Sequence, residues 1–209
     1  SIIHEGCRKS LHMHLESACF VRAISVKISA DLVHFMGNKH SSKIRVVHLG
    51  VPCINTMPMR STTKDKFVIA TPGGLLPHKG HEFALKASRL LLDQKVLNFA
   101  WYFFGAGALC KSLMTQINSM ELSGVVKMAG MTNHEELMNK YATGAIDIVV
   151  LPAIEANGIH EGIPVSLMEA MSFGIPVIAT DCGGTLELIG GGAGLVVPQR
   201  DEKAIADGL

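Results

Sequence analysis

The stretch EGIPVSLMEAMSFGIPVIATD, residues 161–181, places two carboxylates inside an otherwise apolar run. Pro164 suits the first turn of a helix, because its fixed φ and missing N–H cost nothing there. Gly174 suits the end of that helix, and the apolar residues after it predict a strand. The spacing therefore predicts Glu161 in the loop before the helix and Glu169 on its second turn.

Both carboxylates are predicted near the opening end of a helix, where unsatisfied N–H groups and a partial positive charge favour phosphate. Carboxylates repel phosphate, so we expect Glu161 and Glu169 to face other groups. Sugar hydroxyls fit, because one carboxylate can accept two such hydrogen bonds. The pattern indicates a nucleotide-sugar, with one carboxylate for each sugar beside the diphosphate. The alternative is that Glu161 is a solvated loop residue and Glu169 a surface position.

From residue 66 onward, apolar runs of strand length alternate with amphipathic segments of helix length about six times. Fully apolar runs such as DIVVL (147–151) suit strands buried on both faces, as parallel sheets require. This alternation predicts an α/β fold with a doubly wound parallel sheet of the Rossmann type. Ligands bind such sheets at the carboxyl ends of the strands. The loops of interest therefore follow Thr71, Phe104, Ala129, Leu151 and Thr180.

Two of these loops carry further signals. TPGGLLPHKGHE (71–82) combines glycines, which let a ligand approach the main chain, with Lys79 just before a predicted helix. Lys79 could neutralise a diphosphate leaving group as a point charge. FFGAGAL (103–109) holds a Gly-x-Gly turn, which is a weak signal because it lacks the third glycine of a dinucleotide fingerprint. A tight turn explains that pattern equally well.

The first 65 residues have a different pattern, with two predicted helices flanking a short strand and a second strand at 43–51. Residues 52–66, rich in proline, serine and threonine, read as a linker. We therefore predict a separate unit at 1–51, the linker at 52–66 and the ligand-binding domain at 67–209. Because the chain opens without methionine and stops within a predicted helix, we expect it to be a fragment of a longer protein.

Composition narrows the classes of function. The chain is 48% hydrophobic and 18% charged with a formal net charge of +1, which is typical of a globular domain. It lacks the basic footprint of a nucleic-acid-binding protein. The five cysteines are far apart and form no CxxC pair, which predicts buried, reduced thiols and no zinc site. No apolar run approaches the ~20 residues of a membrane-spanning helix. We expect a soluble, cytoplasmic protein.

Taken together, these segments resemble the family 4 glycosyltransferases of the GT-B fold. The resemblance is carried in order by GGLLPHKG (73–80), FFGAGAL (103–109), 125–153, 161–189 and GAGLVVP (192–198). The two glutamates separated by seven residues are its most specific mark. The resemblance implies that residues 1–51 end an acceptor-side Rossmann-like domain and that 67–209 form a truncated nucleotide-sugar-binding domain.

The resemblance also implies roles for single residues. Lys79 matches the lysine that contacts the diphosphate, Glu161 the glutamate beside the transferred sugar, and Glu169 the glutamate that holds the ribose. The first loop, with Gly73 and Gly74, would approach the donor. Main-chain amides of Gly162, Ile163 and the neighbours of Pro164 would meet sugar and phosphate, and the loop 130–133 would hold the base. Glu161 and Lys79 would be the catalytic pair. Transfer would retain the anomeric configuration, with no cofactor and no bound metal.

The sequence departs from the family pattern at Gly74, where an arginine usually binds phosphate. Losing such a charge-assisted contact costs on the order of 1.5–3 kcal/mol. Either Arg60, His78 or a missing segment substitutes, or the chain holds its donor weakly. His4 is a candidate for the histidine that the family's first domain places near the reacting carbon. His160 could reach the ligand, but a solvated loop histidine is the preferred interpretation.

The sequence thus predicts part of a retaining hexosyltransferase that moves a sugar from a UDP- or GDP-sugar to an acceptor hydroxyl in polysaccharide or glycoconjugate synthesis. The acceptor would be a sugar, a lipid-linked glycan or a small molecule. Peripheral contact with the inner face of the membrane would come from the missing first domain. The alternatives are a nucleotide-sugar-binding module without activity, and another GT-B-like enzyme such as an epimerase or phosphorylase.

Overall fold

A computed structural model of the chain describes residues 5–54, 65–95 and 98–209. The described strands are β1 Val21–Ala23, β2 Ile44–Val46, β3 Phe67–Pro72, β4 Phe99–Phe104, β5 Val126–Gly130, β6 Ile148–Leu151, β7 Val177–Thr180 and β8 Leu195–Val197. The α-helices are α1 Glu5–Ser17, α2 Val26–Met36, α3 His81–Gln94, α4 Cys110–Ser119, α5 His134–Ala142, α6 Val165–Ser172, α7 Thr185–Ile189 and α8 Glu202–Asp207. Short 3₁₀ helices occupy Asn38–Lys43 and Pro77–Lys79.

Six of the strands form one sheet in the order β5-β4-β3-β6-β7-β8, and every neighbouring pair is parallel. The chain builds outward from β3 to β5, crosses back to place β6 beside β3, and then builds outward the other way. The predicted doubly wound parallel sheet is therefore confirmed. Its strand order reverses between β3 and β6, and ligands of such sheets bind outside the carboxyl ends of the strands at that point.

Helices cover both faces of this sheet. Buried residues of α3, α4 and α8 pack on one face with Trp101 and Phe103, whereas α5, α6 and α7 pack on the other with Phe104. Successive strand residues point to opposite faces, which explains why β4 is apolar along its whole length. The buried Trp101 Nε1 donates to Thr71 Oγ1 at 2.9 Å, and Thr71 Oγ1 donates to Val150 O at 2.8 Å. These bonds join β4, β3 and β6 through one hydroxyl.

The N-terminal residues form a smaller unit around the parallel pair β1–β2. Val21, Ala23, Met36 and Ile44 make its buried cluster. Ser25 caps α2, because its side chain accepts a hydrogen bond from Ile28 N. The strand expected over 43–51 extends only over β2, since its partner β1 is three residues long. The domain boundaries stay predictions, and residues 55–64 of the expected linker lie outside the described part of the chain.

No helix among the described residues is both long and apolar enough to cross a bilayer. Cys19, Cys53, Cys110 and Cys182 are free thiols, but not all of them are buried. Cys182 is buried and Cys110 half-buried, whereas Cys19 and Cys53 are exposed. The expectation of buried thiols is therefore wrong for Cys19 and Cys53, which lie in the small N-terminal unit and the segment after it.

His81, the first residue of α3, is 1% exposed and packs edge-on against Phe103 with ring centroids 5.0 Å apart. Neither of its ring nitrogens has a hydrogen-bond partner among the described residues. Burial lowers the pKa of His81 to about 4, and the nearby charges of Lys79 and His78 act in the same direction. The imidazole is therefore neutral in the folded chain at neutral pH.

This burial predicts acid sensitivity. Below pH 6.5 the unfolded chain takes up a proton at His81, and the folded chain does not until about pH 4. The contribution to stability is therefore complete above pH 6.5 and is lost as the pH falls toward 4. Between pH 7 and pH 5 this loss amounts to about 2 kcal/mol of unfolding free energy. His81→Phe should remove that part of the pH dependence and leave stability at pH 7 equal or higher, because an apolar ring replaces unsatisfied polar atoms.

Urea unfolding of both proteins at pH 7 and pH 5 measures this difference. His34→Phe, at an exposed position of α2, is the matched control and should keep the pH dependence of the wild type. An equal loss of unfolding free energy on acidification in the wild type and in His81→Phe would contradict the assignment.

Candidate active site

Three loops at the carboxyl edge of the sheet are hydrogen-bonded to one another. Gly73 N donates to Phe104 O at 2.8 Å, and Gly105 N donates to Gly130 O at 2.8 Å. Gly105 has φ 144°, and a Cβ there would lie 2.0 Å from Gly73 O. The Gly-x-Gly of residues 103–109 is thus explained by close approach of two loops, which is the structural alternative to a ligand-binding fingerprint.

Lys79 ends the 3₁₀ turn Pro77–Lys79 that leads into α3. The next residue, Gly80, has φ 65°, and a Cβ on it would lie 1.8 Å from Pro152 O. Glycine at this position therefore lets the Lys79 loop rest on the loop that follows β6. The lysine is held at the point where the strand order reverses.

Glu161 lies in the loop before α6, as predicted, and is 8% exposed. Its Oε1 lies 2.6 Å from Lys79 Nζ, so the two side chains form a partly buried ion pair. Apart from this ion pair, that oxygen has no hydrogen-bond donor among the described residues. Glu161 is therefore not a solvated loop residue, and Lys79 is the partner of its Oε1 among the described residues.

Glu169 lies on the second turn of α6, as predicted, with its side chain 18% exposed. Its Oε1 lies 2.8 Å from Nε2 of His134, the first residue of α5, whose side chain is 70% exposed. His134 is not among the residues that the sequence predicts for the site. Its position just after the loop 130–133, at the carboxyl edge of the sheet, is the signal that could have found it.

A cleft of about 360 Å³ brings most of the predicted residues together. Its lining contains Gly73, Lys79, Glu161, Ile163, Pro164 and Glu169, together with Pro72, Leu137, Val165 and Ser166. Gly74 and Gly162 do not line it. Gly162 lies instead against Ile24, whose Cδ1 would be 2.8 Å from a Cβ on that glycine.

The start of α6 opens onto this cleft. The helix begins at Val165, so Pro164 is its N-cap, one residue earlier than the predicted first turn. Val165 and Ser166 line the cleft, and the first N–H groups of a helix have no partner within the helix. The cleft therefore combines a helix N-terminus, an ammonium group and two carboxylates.

Two of the remaining candidates, His78 and His160, lie among the described residues. His78 has a lowered pKa, because it is partly buried and lies near the charge of Lys79, with Glu161 opposing that effect. A neutral imidazole is a poor substitute for the missing arginine, so His78 does not support that hypothesis. His160 is not a solvated loop residue, since its side chain is 9% exposed. His4 and Arg60 lie outside the described residues.

Comparison with known proteins identifies the family. The sequence matches the family described as "Glycosyl transferases group 1" over residues 56–209. The chain belongs to the group 1 glycosyltransferases. The expected resemblance is confirmed, and the structural relatives confirm the GT-B type of fold. The expected retention of configuration stays a prediction.

WcaL of Escherichia coli K12, assigned to colanic acid biosynthesis, is 34% identical over 80% of this chain and 41% of its own length. The amylovoran biosynthesis glycosyltransferase AmsK of Erwinia amylovora is 34% identical over 79% of this chain and 41% of its own. HepE from Anabaena, solved in complex with UDP and glucose, superimposes with a TM-score of 0.79 at 21% identity, covering 98% of this chain and 56% of HepE. The chain thus spans about two fifths of the two curated relatives.

Proposed function

We propose that the cleft binds a nucleotide-diphospho-sugar, the donor of a glycosyl transfer. The observation that carries this proposal is Glu161, a buried carboxylate whose Oε1 has only the Lys79 ammonium as a partner among the described residues. A carboxylate has about four acceptor sites and one ammonium fills only part of them, so a buried carboxylate that lines a cleft favours a ligand that brings further donors to it. Sugar hydroxyls are donors of this kind, and the cleft reaches from Glu161 to Glu169.

Each charged side chain then has a separate role. Without ligand, Lys79 and Glu161 neutralise each other. When the donor binds, Glu161 accepts hydrogen bonds from hydroxyls of the transferred sugar, and the Lys79 ammonium turns to the diphosphate. Glu169 accepts from the ribose hydroxyls, with its contact to His134 rearranged or shared. The base lies on the loop 130–133. The N-terminus of α6 adds partial positive charge beside the phosphates.

The proposed reaction is transfer of a hexosyl unit with retention. The bond between the anomeric carbon and the diphosphate breaks, a bond to the acceptor oxygen forms, and the acceptor proton leaves with the diphosphate. Lys79 and the helix end stabilise the charge that develops on the leaving group, so no metal is required for this step. Positioning supplies the rest of the catalysis.

The comparisons support a sugar polymer as the product and UDP as the first nucleotide to test. WcaL and AmsK are assigned to polysaccharide synthesis, and HepE is solved with UDP and glucose. The acceptor in our proposal is a glycan, a lipid-linked glycan or a small molecule. The proposed location is the cytoplasm, with contact to the inner face of the membrane through residues beyond this chain.

Calorimetric titration with UDP, GDP, UDP-glucose and GDP-mannose tests the donor site. We expect one nucleotide family to bind. Glu169→Ala and Lys79→Ala should each weaken that binding by roughly tenfold or more, because each removes a charged partner of the ligand.

Lys111→Ala and Glu135→Ala, at exposed positions outside the cleft, are matched controls and should bind as the wild type does. Circular dichroism shows that each variant is folded. A folded wild-type chain that binds none of the four ligands at millimolar concentration would contradict the proposal. Binding that both cleft substitutions leave unchanged would place the nucleotide elsewhere.

Gly74 is the feature that favours the second candidate, a binding module with a weakened phosphate site. The glycine is not required by the backbone, since its φ is not positive and a Cβ would meet Leu76 Cδ1 at 3.5 Å and Ala106 O at 3.7 Å, both ordinary contacts. The fold therefore accepts a side chain at position 74.

Gly74→Arg should tighten the binding of the nucleoside diphosphate by roughly tenfold or more, because it restores a charge-assisted contact to phosphate. Gly74→Ala adds the Cβ without the charge and should leave the affinity unchanged. The same calorimetric titration measures both. Equal affinities of the two variants would mean that another cation already serves the phosphate, and would count against a weakened site.

A further inference from the structure

His160 bridges two parts of the chain that are far apart in sequence. Its Nε2 lies 2.9 Å from Oδ2 of Asp31 on α2, and its Nδ1 lies 2.7 Å from the main-chain oxygen of Glu161. The imidazole is nearly buried, with its side chain 9% exposed. One ring therefore connects the N-terminal unit to the residue that carries the carboxylate of the cleft.

The two partners of His160 are both acceptors, a carboxylate and a carbonyl oxygen. A neutral imidazole has one donor and one acceptor nitrogen, so both contacts are hydrogen bonds when the ring carries two N–H groups. Asp31 is suited to hold such a ring. Burial alone would raise its pKa, but hydrogen bonds from Lys27 and His160 hold the pKa of Asp31 below its ordinary value. The bridge is therefore charge-assisted on the Asp31 side.

The main chain of Glu161 is held from the opposite side as well. Gly183 has φ 61°, and a Cβ there would lie 1.8 Å from Glu161 O and 2.9 Å from His160 Nδ1. Gly184 N donates to Gly162 O at 2.8 Å. With Ile24 against Gly162, the segment 160–162 is enclosed between the N-terminal unit and the loop after β7.

We propose that His160 is a positioning residue: by tying the main chain of Glu161 to Asp31 of α2, it sets the reach of the Glu161 carboxylate toward the sugar of the donor. This inference rests on the proposed function. It makes recognition of the sugar depend on the link from Asp31 through His160 to the main chain of Glu161, while recognition of the nucleotide by Glu169 does not depend on that link.

The test separates the two parts of the ligand. Affinity is measured for UDP and UDP-glucose, or for GDP and GDP-mannose, whichever pair the wild-type chain binds. His160→Ala and Asp31→Ala should each weaken the binding of the nucleotide-sugar by roughly three- to tenfold, the size of one lost hydrogen bond. The affinity for the nucleoside diphosphate should change less than about twofold. Asp31→Asn keeps an acceptor for His160 Nε2 and should restore much of the loss.

Two features keep the test interpretable. The Asp31 side chain is 42% exposed, so its substitution does not threaten the fold even if His160→Ala does. Glu187 is the matched control, because it accepts from Val26 N at 2.7 Å and contacts His48 at 2.5 Å, and so joins the same two units without touching the main chain of Glu161. Glu187→Gln should leave the ratio of the two affinities as in the wild type.

The possible results either support or overturn the positioning role of His160. Selective loss of the nucleotide-sugar in His160→Ala and Asp31→Ala, with rescue by Asp31→Asn, supports the inference. Equal weakening of both ligands, or no weakening of either, overturns it and leaves the donor site intact. A wild-type chain that binds neither ligand overturns the proposed function itself, and the inference with it.

Discussion

The ion pair between Lys79 and Glu161 is the contact on which the candidate site depends. A carboxylate that is 8% exposed carries a large desolvation cost unless a cation or hydrogen-bond donors lie beside it. Lys79 supplies the cation at 2.6 Å. The two residues come from the loops after β3 and after β6, so the pair joins the two sides of the point where the strand order reverses. Without ligand the two charges neutralise each other, and both side chains line the cleft where a ligand can reach them.

Glycines determine how closely these loops approach. Gly80 lets the Lys79 loop rest on Pro152, and Gly183 lets the loop after β7 rest on the main chain of Glu161, where any Cβ would overlap a carbonyl oxygen. His160 holds the same main chain from the side of α2. The Glu161 carboxylate therefore extends from a segment that is fixed on two sides, as a group that must recognise a ligand with little reorganisation should be.

Much of this arrangement follows from the sequence because its signals are local. Alternating apolar and amphipathic segments predict the sheet, and Pro164 and Gly174 bound the helix that places Glu161 before it and Glu169 on its second turn. The helix α7 was not predicted, since five residues are too few to show a periodic pattern. Lys79 and Glu161 are 82 positions apart, but they meet because β3 and β6, the strands before their loops, are neighbours in the sheet.

The parts that were missed depend on distant partners. His160 reads as a solvated loop residue because Asp31, which buries it, lies 129 positions away on another unit. His134 is inconspicuous until α5 and α6 stand side by side and bring it to Glu169. Likewise, a glycine pair at 183–184 shows a turn, but the carbonyl oxygen that requires glycine comes from the loop before α6.

Donor binding is proposed to open the ion pair between Lys79 and Glu161, so that Lys79 binds the diphosphate and Glu161 binds the sugar. A crystal structure of the chain with the nucleotide-sugar that it binds tests this most directly. We predict that the ion pair has opened in this complex, with Lys79 Nζ within hydrogen-bond distance of a diphosphate oxygen and a Glu161 carboxylate oxygen accepting from a sugar hydroxyl. A nucleotide-sugar bound with the pair still closed, touching neither side chain, would contradict it.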